Sequence, residues 1–261
     1  MNKFKIMLSG LFKYKTLLRE LVVRDIKIRY RRSVLGLLWT VLNPILMMTV
    51  MTIVFSNLFR FDIENFPVYF FTANILFSFV VEATTNCLYG ITGNASLIKK
   101  IYIPKYLFPV SKVLSSVVNL FFSFIAMLVV MVATKAPFHG TMILTPLVIF
   151  YTILFTTGLG LILSVAVVFF RDVAHLYGVV TMAWMYLTPI FYPTSLLEEK
   201  MSFVLTFNPA YHFIEYFREI VLYNQMPTLG ANITCFLIGS ITLIIGLIFF
   251  YKNQDKFILY I

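Results

Sequence analysis

The sequence predicts an all-α integral membrane protein that crosses the bilayer six times, with both chain ends on the cytoplasmic side. Of its 261 residues, 60% are hydrophobic and only 12% are charged, whereas a soluble domain carries about 25% charged residues. Six apolar runs can be drawn, and each bilayer crossing needs about 20 apolar residues. Spans without internal water are predicted to be helices, because every backbone group then needs a partner within the segment.

The six predicted spans differ in how clearly they begin and end. They lie near residues 34–55, 68–91, 107–133, 143–170, 176–192 and 233–251. The first and last are the clearest. The fifth is short and ends at Pro189 and Pro193, so its outer end is predicted to be broken or kinked, since proline cannot continue a helical hydrogen-bond ladder.

The distribution of basic residues sets the predicted orientation. Seventeen of the 21 Lys and Arg residues fall in 1–33, 92–112, 171–175 and 252–261. The other four are Arg60, Lys135, Lys200 and Arg218. Cytoplasmic loops carry the excess of positive charge, so this split predicts both ends inside. The basic N-terminus adjoins a span, which favours an anionic lipid surface over nucleic acid as its partner.

The first non-spanning element is an interfacial helix within residues 11–32. Apolar residues recur there at helical spacing with basic residues between them, as in helices that lie in the membrane plane. Glu20–Arg24 and Asp25–Arg29 are predicted to form ion pairs four residues apart. The alternative is a charged anchor that only sets the topology.

The second non-spanning element is the inner loop at 94–104. Asn94 or Ser96 can cap a short helix, and Pro104 is predicted to stop it near Ile103. Ile98, Ile101 and Tyr102 would then be exposed toward the cytosol and would need a partner to cover them. The alternative is an ordinary loop whose lysines only set the topology.

The third non-spanning element, 194–225, is predicted to lie outside and is too long for a loop without structure. Ser195 to Glu198 has the spacing of a capping box. Asn208 followed by Pro209 is a typical helix start. Two short re-entrant helices in the outer leaflet are predicted here, with a pair of surface helices as the alternative.

Glu82 is the one acidic residue well inside a predicted span, where a charge costs a few kcal/mol unless it faces protein or water. Asn74 and Asn86 lie in the same run. These residues predict either a polar stripe that faces a channel or subunit contact, or a Glu that binds a neighbouring helix.

Aromatic residues make up 17% of the chain, and membrane-interface belts account for many such residues in membrane proteins. A second interpretation applies to Trp184, Tyr186, Phe191 and Tyr192 at the fifth span and Trp39 at the first. Aromatic faces could line a channel for a sliding sugar polymer without binding it tightly.

Motifs for chemistry are missing from the sequence. There is no Gly-Lys-Ser/Thr phosphate loop, so the chain is not expected to hydrolyse ATP alone. The three histidines and two cysteines have no metal-ligand spacing. Cys87 and Cys235 are predicted to be buried thiols. A conduit or scaffold is favoured over a membrane enzyme, and no bound cofactor is expected.

Several motifs resemble one transporter family. The run from Arg24-Asp25 through Tyr30-Arg31-Arg32-Ser33 to Asn43-Pro44 closely resembles the opening of type 2 ABC-exporter permeases for O-antigen polysaccharide and teichoic acid. Phe170-Arg171-Asp172, the loop 97–104, Pro189 to Pro193 and Asn208-Pro209 resemble later segments of the same family. The resemblance covers the whole chain as a single transmembrane domain.

The resemblance implies a permease homodimer in the bacterial inner membrane, with two cytosolic ATPase subunits that bind ATP and Mg²⁺. It implies a gate helix at 1–33, a coupling helix at 94–104 and external gate helices at 194–225. The implied cargo is a lipid-linked glycan or polyol-phosphate polymer. The residues implied to contact the ATPase are Ser96, Leu97, Ile98, Lys99, Lys100, Ile101, Tyr102 and Pro104.

Basic residues near the inner surface would attract the pyrophosphate of the lipid anchor, or else serve only as leaflet anchors. They are Arg24, Arg29, Arg31 and Arg32. Three other functions stay open: a permease for a small lipid or drug, a membrane-embedded glycan-assembly enzyme, and an ion-coupled flippase.

Overall fold

A computed structural model describes residues 13–31, 35–55, 63–101 and 103–261, without the side chains of residues 37, 199 and 200. All regular secondary structure in this part of the chain is helical. The α-helices are α1 (Lys15–Tyr30), α2 (Trp39–Val54), α3 (Phe66–Leu88), α4 (Ala95–Lys100), α5 (Leu107–Ala133), α6 (Thr145–Phe169), α7 (Val173–Tyr186), α8 (Ser195–Phe207), α9 (Pro209–Val221) and α10 (Leu229–Asn253). Short 3₁₀ turns lie at Gly36–Leu38, Thr92–Asn94, Gly140–Leu144 and Gln254–Leu259.

Four described helices are long and apolar enough to cross a membrane: α3, α5, α6 with the turn before it, and α10 with the turn after it. They coincide with the second, third, fourth and sixth predicted spans. The helices α2 and α7 coincide with the first and fifth, but contain 16 and 14 residues. Helix α7 ends at Tyr186, before Pro189, because the chain cannot continue a regular helix through that proline.

Helix α3 lies at the centre of the fold. Most of its side chains are buried, and it packs against α2, α5, α6 and α9. Helices α6 and α10 form a separate close pair, because glycines at their contact remove the side chains between the two backbones. A Cβ atom added to Gly246 would lie only 2.3 Å from the carbonyl oxygen of Gly158. The fourth and sixth apolar helices therefore form one tightly packed unit.

A second apolar cluster lies at the predicted cytoplasmic end of the fold. It joins Leu21 of α1, Ile98 of α4 and Phe108 of α5 to Phe250 and Phe257 near the C-terminus. Lateral packing against this cluster is what stabilises α1, because an isolated helix of this length is marginal in water. The interfacial helix is thereby attached directly to the helix of the inner loop.

The structure corrects the predicted start and end of the inner-loop helix. Asn94 precedes α4, but its side chain makes no capping bond and instead donates to the Gly90 carbonyl at 2.8 Å. Ser96 lies inside the helix. The helix ends at Lys100, earlier than the predicted Ile103, because Ile101 is already extended ahead of Pro104.

The two predicted helices before the last span are present as α8 and α9. Asn208 accepts a hydrogen bond from the Ala210 backbone N–H at 3.1 Å, so the predicted cap of α9 is confirmed. The predicted capping box at Ser195 is wrong, because Thr194 occupies the position before α8 and makes no side-chain capping bond.

Candidate functional site

A polar stripe runs along the side of α3 that neighbouring helices leave uncovered. Asn74, Ser78, Glu82 and Asn86 follow one another at intervals of four residues, which places them on one helix face. Ser78 is exposed and the other three are half-buried. Ser78 also donates to Asn74 at 3.2 Å. Here this stripe is called the α3 polar stripe.

Glu82 is the most heavily bonded residue of the α3 polar stripe. Its Oε1 accepts from Asn119 Nδ2 at 2.6 Å and from Ser116 Oγ at 3.3 Å, both on α5. The same oxygen forms an ion pair with Arg29 of α1 at 2.5 Å. The carboxylate thus binds the neighbouring helix α5, as the second interpretation of Glu82 predicts, and it also borders open space. A channel or subunit contact at this stripe stays a prediction.

Two cavities lie against the α3 polar stripe. One has a volume of about 520 Å³ and is also lined by Arg29, Trp39 and Asn43. The other has a volume of about 410 Å³ and reaches Met185 of α7. Asn74, Ser78 and Glu82 line both cavities. Helices α2, α3 and α7 therefore border a partly polar space that a single chain leaves open.

The basic residues proposed for an anionic headgroup are arranged around α1. Arg24 donates to the Asn94 side chain at 3.0 Å and contacts Asp25 at 3.2 Å. Arg31 is exposed. Arg32 lies outside the described residues.

Arg29 keeps its charge beside the stripe. Burial by itself would lower the pKa of Arg29, but the Glu82 carboxylate outweighs this effect and raises the pKa above the usual arginine value. Arg29 therefore remains a cation at every pH the cell experiences.

Neither of the two ion pairs predicted within α1 forms. Asp25 pairs with Lys112 of α5 at 2.8 Å rather than with Arg29. Arg24 reaches Asp25 and Asn94 rather than Glu20. The predicted pairs were wrong because α1 packs against α5, which brings partly buried partners within reach, and an exposed pair four residues apart contributes only about 0.3–0.5 kcal/mol to compete with them.

The five aromatic residues proposed for the channel lie in different environments. Trp39 and Tyr186 are 45% and 59% exposed. Trp184 is half-buried, and its indole N–H donates to Asn208 at 2.7 Å. Tyr192 is half-buried and donates to the Tyr186 carbonyl at 2.6 Å. Phe191 is buried. Trp39 and Tyr186 are therefore the most exposed of the five side chains.

The residues proposed for ATPase coupling differ in their exposure. Ile101 is 53% exposed, and Ser96, Lys99 and Lys100 are also exposed. Leu97 and Pro104 are half-buried, and Tyr102 lies outside the described residues. Ile98 was predicted to be exposed, but it is buried in the cytoplasmic cluster that also contains Leu21. That expectation was wrong because the cluster covers the side of α4 that carries Ile98.

The burial of an arginine in α9 was not predicted from the sequence. Arg218 is 0% exposed. Its guanidinium stacks on the Tyr69 ring at 3.6 Å and donates to the Pro189 carbonyl at 2.7 Å. It thus joins the outer helices to α3 and to the broken end of the fifth predicted span. The sequence did contain one signal for this contact. A helix break near Pro189 leaves a backbone carbonyl free, and a buried donor such as Arg218 can bind it.

Two further features bear on chemistry. Among the residues that the structure describes, no three His, Cys, Asp or Glu side chains meet as a metal site. Cys87 and Cys235 are buried free thiols, as predicted. The arrangement of long apolar helices is that of a multi-pass integral membrane protein.

The comparisons with known proteins identify the family. A family model described as "ABC-2 type transporter" matches residues 16–222. The chain belongs to this family. Two relatives from Klebsiella pneumoniae are each named O-antigen export system permease protein RfbA. They are 30% and 28% identical to this chain, over 98% of it and 97% of each relative. A relative of the same name from Myxococcus xanthus is 31% identical over 83% of this chain and 84% of its own length.

Family membership settles the general type of protein. The chain is a transport component rather than an enzyme, and it is a multi-pass protein of a bacterial membrane. ABC-2 permeases work with an ATPase subunit, so such a partner is implied.

Proposed function

We propose that the chain forms half of the channel in an ATP-driven exporter of a lipid-linked cell-surface polysaccharide, of the O-antigen or teichoic-acid type. The relatives named as O-antigen export permeases support the cargo class. The resemblance of the loop motifs to the O-antigen and teichoic-acid permeases supports it as well. The membrane would be the bacterial inner membrane.

The α3 polar stripe is the observation that carries the channel proposal. A charged or amide side chain facing lipid costs up to about 3 kcal/mol at the bilayer centre. Three such residues on one helix face, Asn74, Glu82 and Asn86, therefore need water or protein beside them. A second copy facing the first would enclose the stripe and the two cavities in a shared polar path.

The proposed assembly contains two copies of the chain and two ATPase subunits that hold ATP and Mg²⁺. Six spans with both ends inside fit the uneven distribution of basic residues. The exposed face of α4, with Ile101 beside it, would contact the ATPase. Helices α8 and α9 would form the external gate, braced by Arg218.

The lipid anchor would enter beside α1, where Arg24, Arg29 and Arg31 present positive charge to the inner leaflet. An anionic headgroup is attracted to such a cluster near a membrane surface. The polymer would then pass the α3 polar stripe, with Trp39 and Tyr186 as the exposed rings along its path. Stacking on aromatic faces tolerates any register, as it does in single-strand channels.

Deletion and complementation in the source bacterium test the proposed function. Loss of the chain should remove surface polysaccharide and cause lipid-linked polymer to accumulate inside the cell. A plasmid copy should restore export, whereas Ser78→Phe should not, because the added ring would fill the polar path. Ile244→Phe, on the exposed face of α10, is the matched control and should restore export. Unchanged surface polysaccharide with lost efflux of a small lipid or drug would instead favour that cargo.

A further inference from the structure

The Arg29–Glu82 ion pair joins the interfacial helix to the α3 polar stripe. Arg29 lies in the last turn of α1, and Glu82 lies in the middle of the stripe. Tyr30 strengthens the same junction by donating to Asn119 at 3.2 Å. Asn119 in turn donates to Glu82. The end of α1 is therefore attached to the proposed channel wall by a connected set of polar contacts.

The ion pair lies where separate cavities approach one another. Arg29 lines the cavity of about 520 Å³ along the stripe. It also lines a cavity of about 580 Å³ that contains Asp25, Asn94 and Lys112, at the predicted cytoplasmic end. Asn86 of the stripe also lines the cytoplasmic cavity, so the junction between this cavity and the stripe is bordered by Arg29 on α1 and by Asn86 on α3.

We propose that Arg29 and Glu82 form an electrostatic lock that closes the cytoplasmic entrance of the channel until α1 moves. This inference rests on the proposed function, because it takes the α3 polar stripe as the channel wall. The permeant that the lock admits would meet the positive Arg29 first, so the lock also favours an anionic leading group.

The contacts of Glu82 make the lock reversible. The Arg29 and Glu82 side chains are 36% and 35% exposed, and a pair this exposed is weak enough to separate and re-form. When Arg29 leaves, Asn119 and Ser116 still donate to the carboxylate. Neither charge is then left buried without a partner, which is the condition that makes breaking an ion pair costly.

The middle of α1 provides the connection to the ATPase side. Arg24 donates to Asn94, the residue directly before α4. Leu21 and Ile98 share the cytoplasmic cluster. A displacement of α4 by the partner ATPase would therefore move α1 with it and would pull Arg29 away from Glu82.

Thiol labelling tests the lock in membrane vesicles that contain the complete transporter. A single Ser78→Cys substitution places a reporter beyond the lock, and a membrane-impermeant maleimide is added to the cytoplasmic face. The native Cys87 and Cys235 are 0% and 1% exposed, so their background labelling should be slow. Asp255→Cys, at the exposed C-terminal end, reports reagent access and the amount of protein in every variant.

Breaking the pair should open the entrance without ATP. We expect Glu82→Gln and Arg29→Gln each to speed Ser78→Cys labelling about threefold, since a pair this exposed contributes less than the roughly 1.4 kcal/mol that corresponds to a factor of ten. Glu82→Arg combined with Arg29→Glu should return the rate to that of the parent. Asp255→Cys should label at one rate throughout.

The possible failures separate the lock from the channel. If Ser78→Cys labels during ATP hydrolysis but is indifferent to both glutamine variants, the lock is wrong and the channel stands. The lock is also wrong if the charge swap labels as fast as Glu82→Arg alone, because the residues then act only through packing. If Ser78→Cys is never labelled, even during ATP hydrolysis, the α3 polar stripe is not the channel wall and both proposals fall.

Discussion

Replacing Gly158 with alanine should force apart the fourth and sixth apolar helices. A Cβ atom at Gly158 would lie 2.4 Å from the backbone carbon and oxygen of Thr242. Both contacts are with helix backbone, which cannot rotate away as a flexible side chain could. Ordinary contact begins at 3.4 Å, so α6 and α10 would have to separate by about 1 Å, and their other contacts would loosen with them.

The size of the effect follows from two opposing terms. Overpacking in a close-packed interior costs about 1–3 kcal/mol, and a clash with backbone belongs at the upper end of that range. Alanine recovers up to about 1 kcal/mol because it is a better helix former than glycine. The net loss is about 2 kcal/mol, which is roughly a thirty-fold reduction in the folding equilibrium constant.

Unfolding in mixed detergent micelles with increasing dodecyl sulfate, followed by circular dichroism, measures this loss. Gly178→Ala in α7 is the matched control, because a Cβ atom there would meet nothing within 4 Å. The control should be as stable as the parent or slightly more stable. If Gly158→Ala unfolds at the same dodecyl sulfate content as Gly178→Ala, the close packing of α6 and α10 is not a source of stability.

Three other predictions address function. Ile101→Asp should uncouple the partner's ATP hydrolysis from export while insertion stays normal; unchanged export would show that the inner loop is not the coupling contact. Tyr186→Ala should shorten the exported polymer at unchanged complex levels because its ring is exposed, whereas Phe191→Ala should lower complex levels because its ring is buried; both amounts can be read from gels, and equal effects of the two would contradict the assignment. Asn208→Ala should destabilise the protein by about 1 kcal/mol through loss of the α9 cap and the Trp184 bond; a dodecyl sulfate unfolding midpoint equal to the parent's would refute this.

Hydropathy alone was enough to locate the apolar helices. An apolar run long enough to cross a bilayer has few alternatives to a helix, because backbone polar groups in lipid need partners within the segment. Glycine contacts such as the one between Gly158 and Gly246 could not be predicted from the sequence. They depend on which face of each helix meets the other, and a helix that is apolar on all sides gives no indication of that face.

The ion pairs show which contacts cannot be predicted from spacing within one helix. Asp25 and Arg29 have favourable spacing within α1, yet each pairs with a different helix. Arg29 and Glu82 are 53 positions apart, so no local pattern could connect them. Glu82 could be identified from the sequence because a charged side chain is costly in lipid. Its partner Arg29, which offsets this cost, could be identified only from the folded structure.

Arg218 is a second residue whose surroundings could not be predicted from the local sequence. Counting it as an outer basic residue treats it as solvated, but its side chain is fully buried against Tyr69. A break at Pro189 provides a carbonyl with no helical partner, and a buried guanidinium can satisfy it.

The contacts of the α6–α10 pair differ in kind from those of α1, and this difference indicates which helices can move. Helices α6 and α10 touch backbone to backbone at Gly158 and Gly246, so any sliding between them would create clashes at once. Helix α1 is attached to α5 by the largely buried pair of Asp25 with Lys112, but its attachment to α3 is the part-exposed pair of Arg29 with Glu82. Water can replace such a part-exposed contact at little cost. A force applied near α4 should therefore displace α1 before it disturbs the α6–α10 pair, which is the order of motion that opening a cytoplasmic entrance requires.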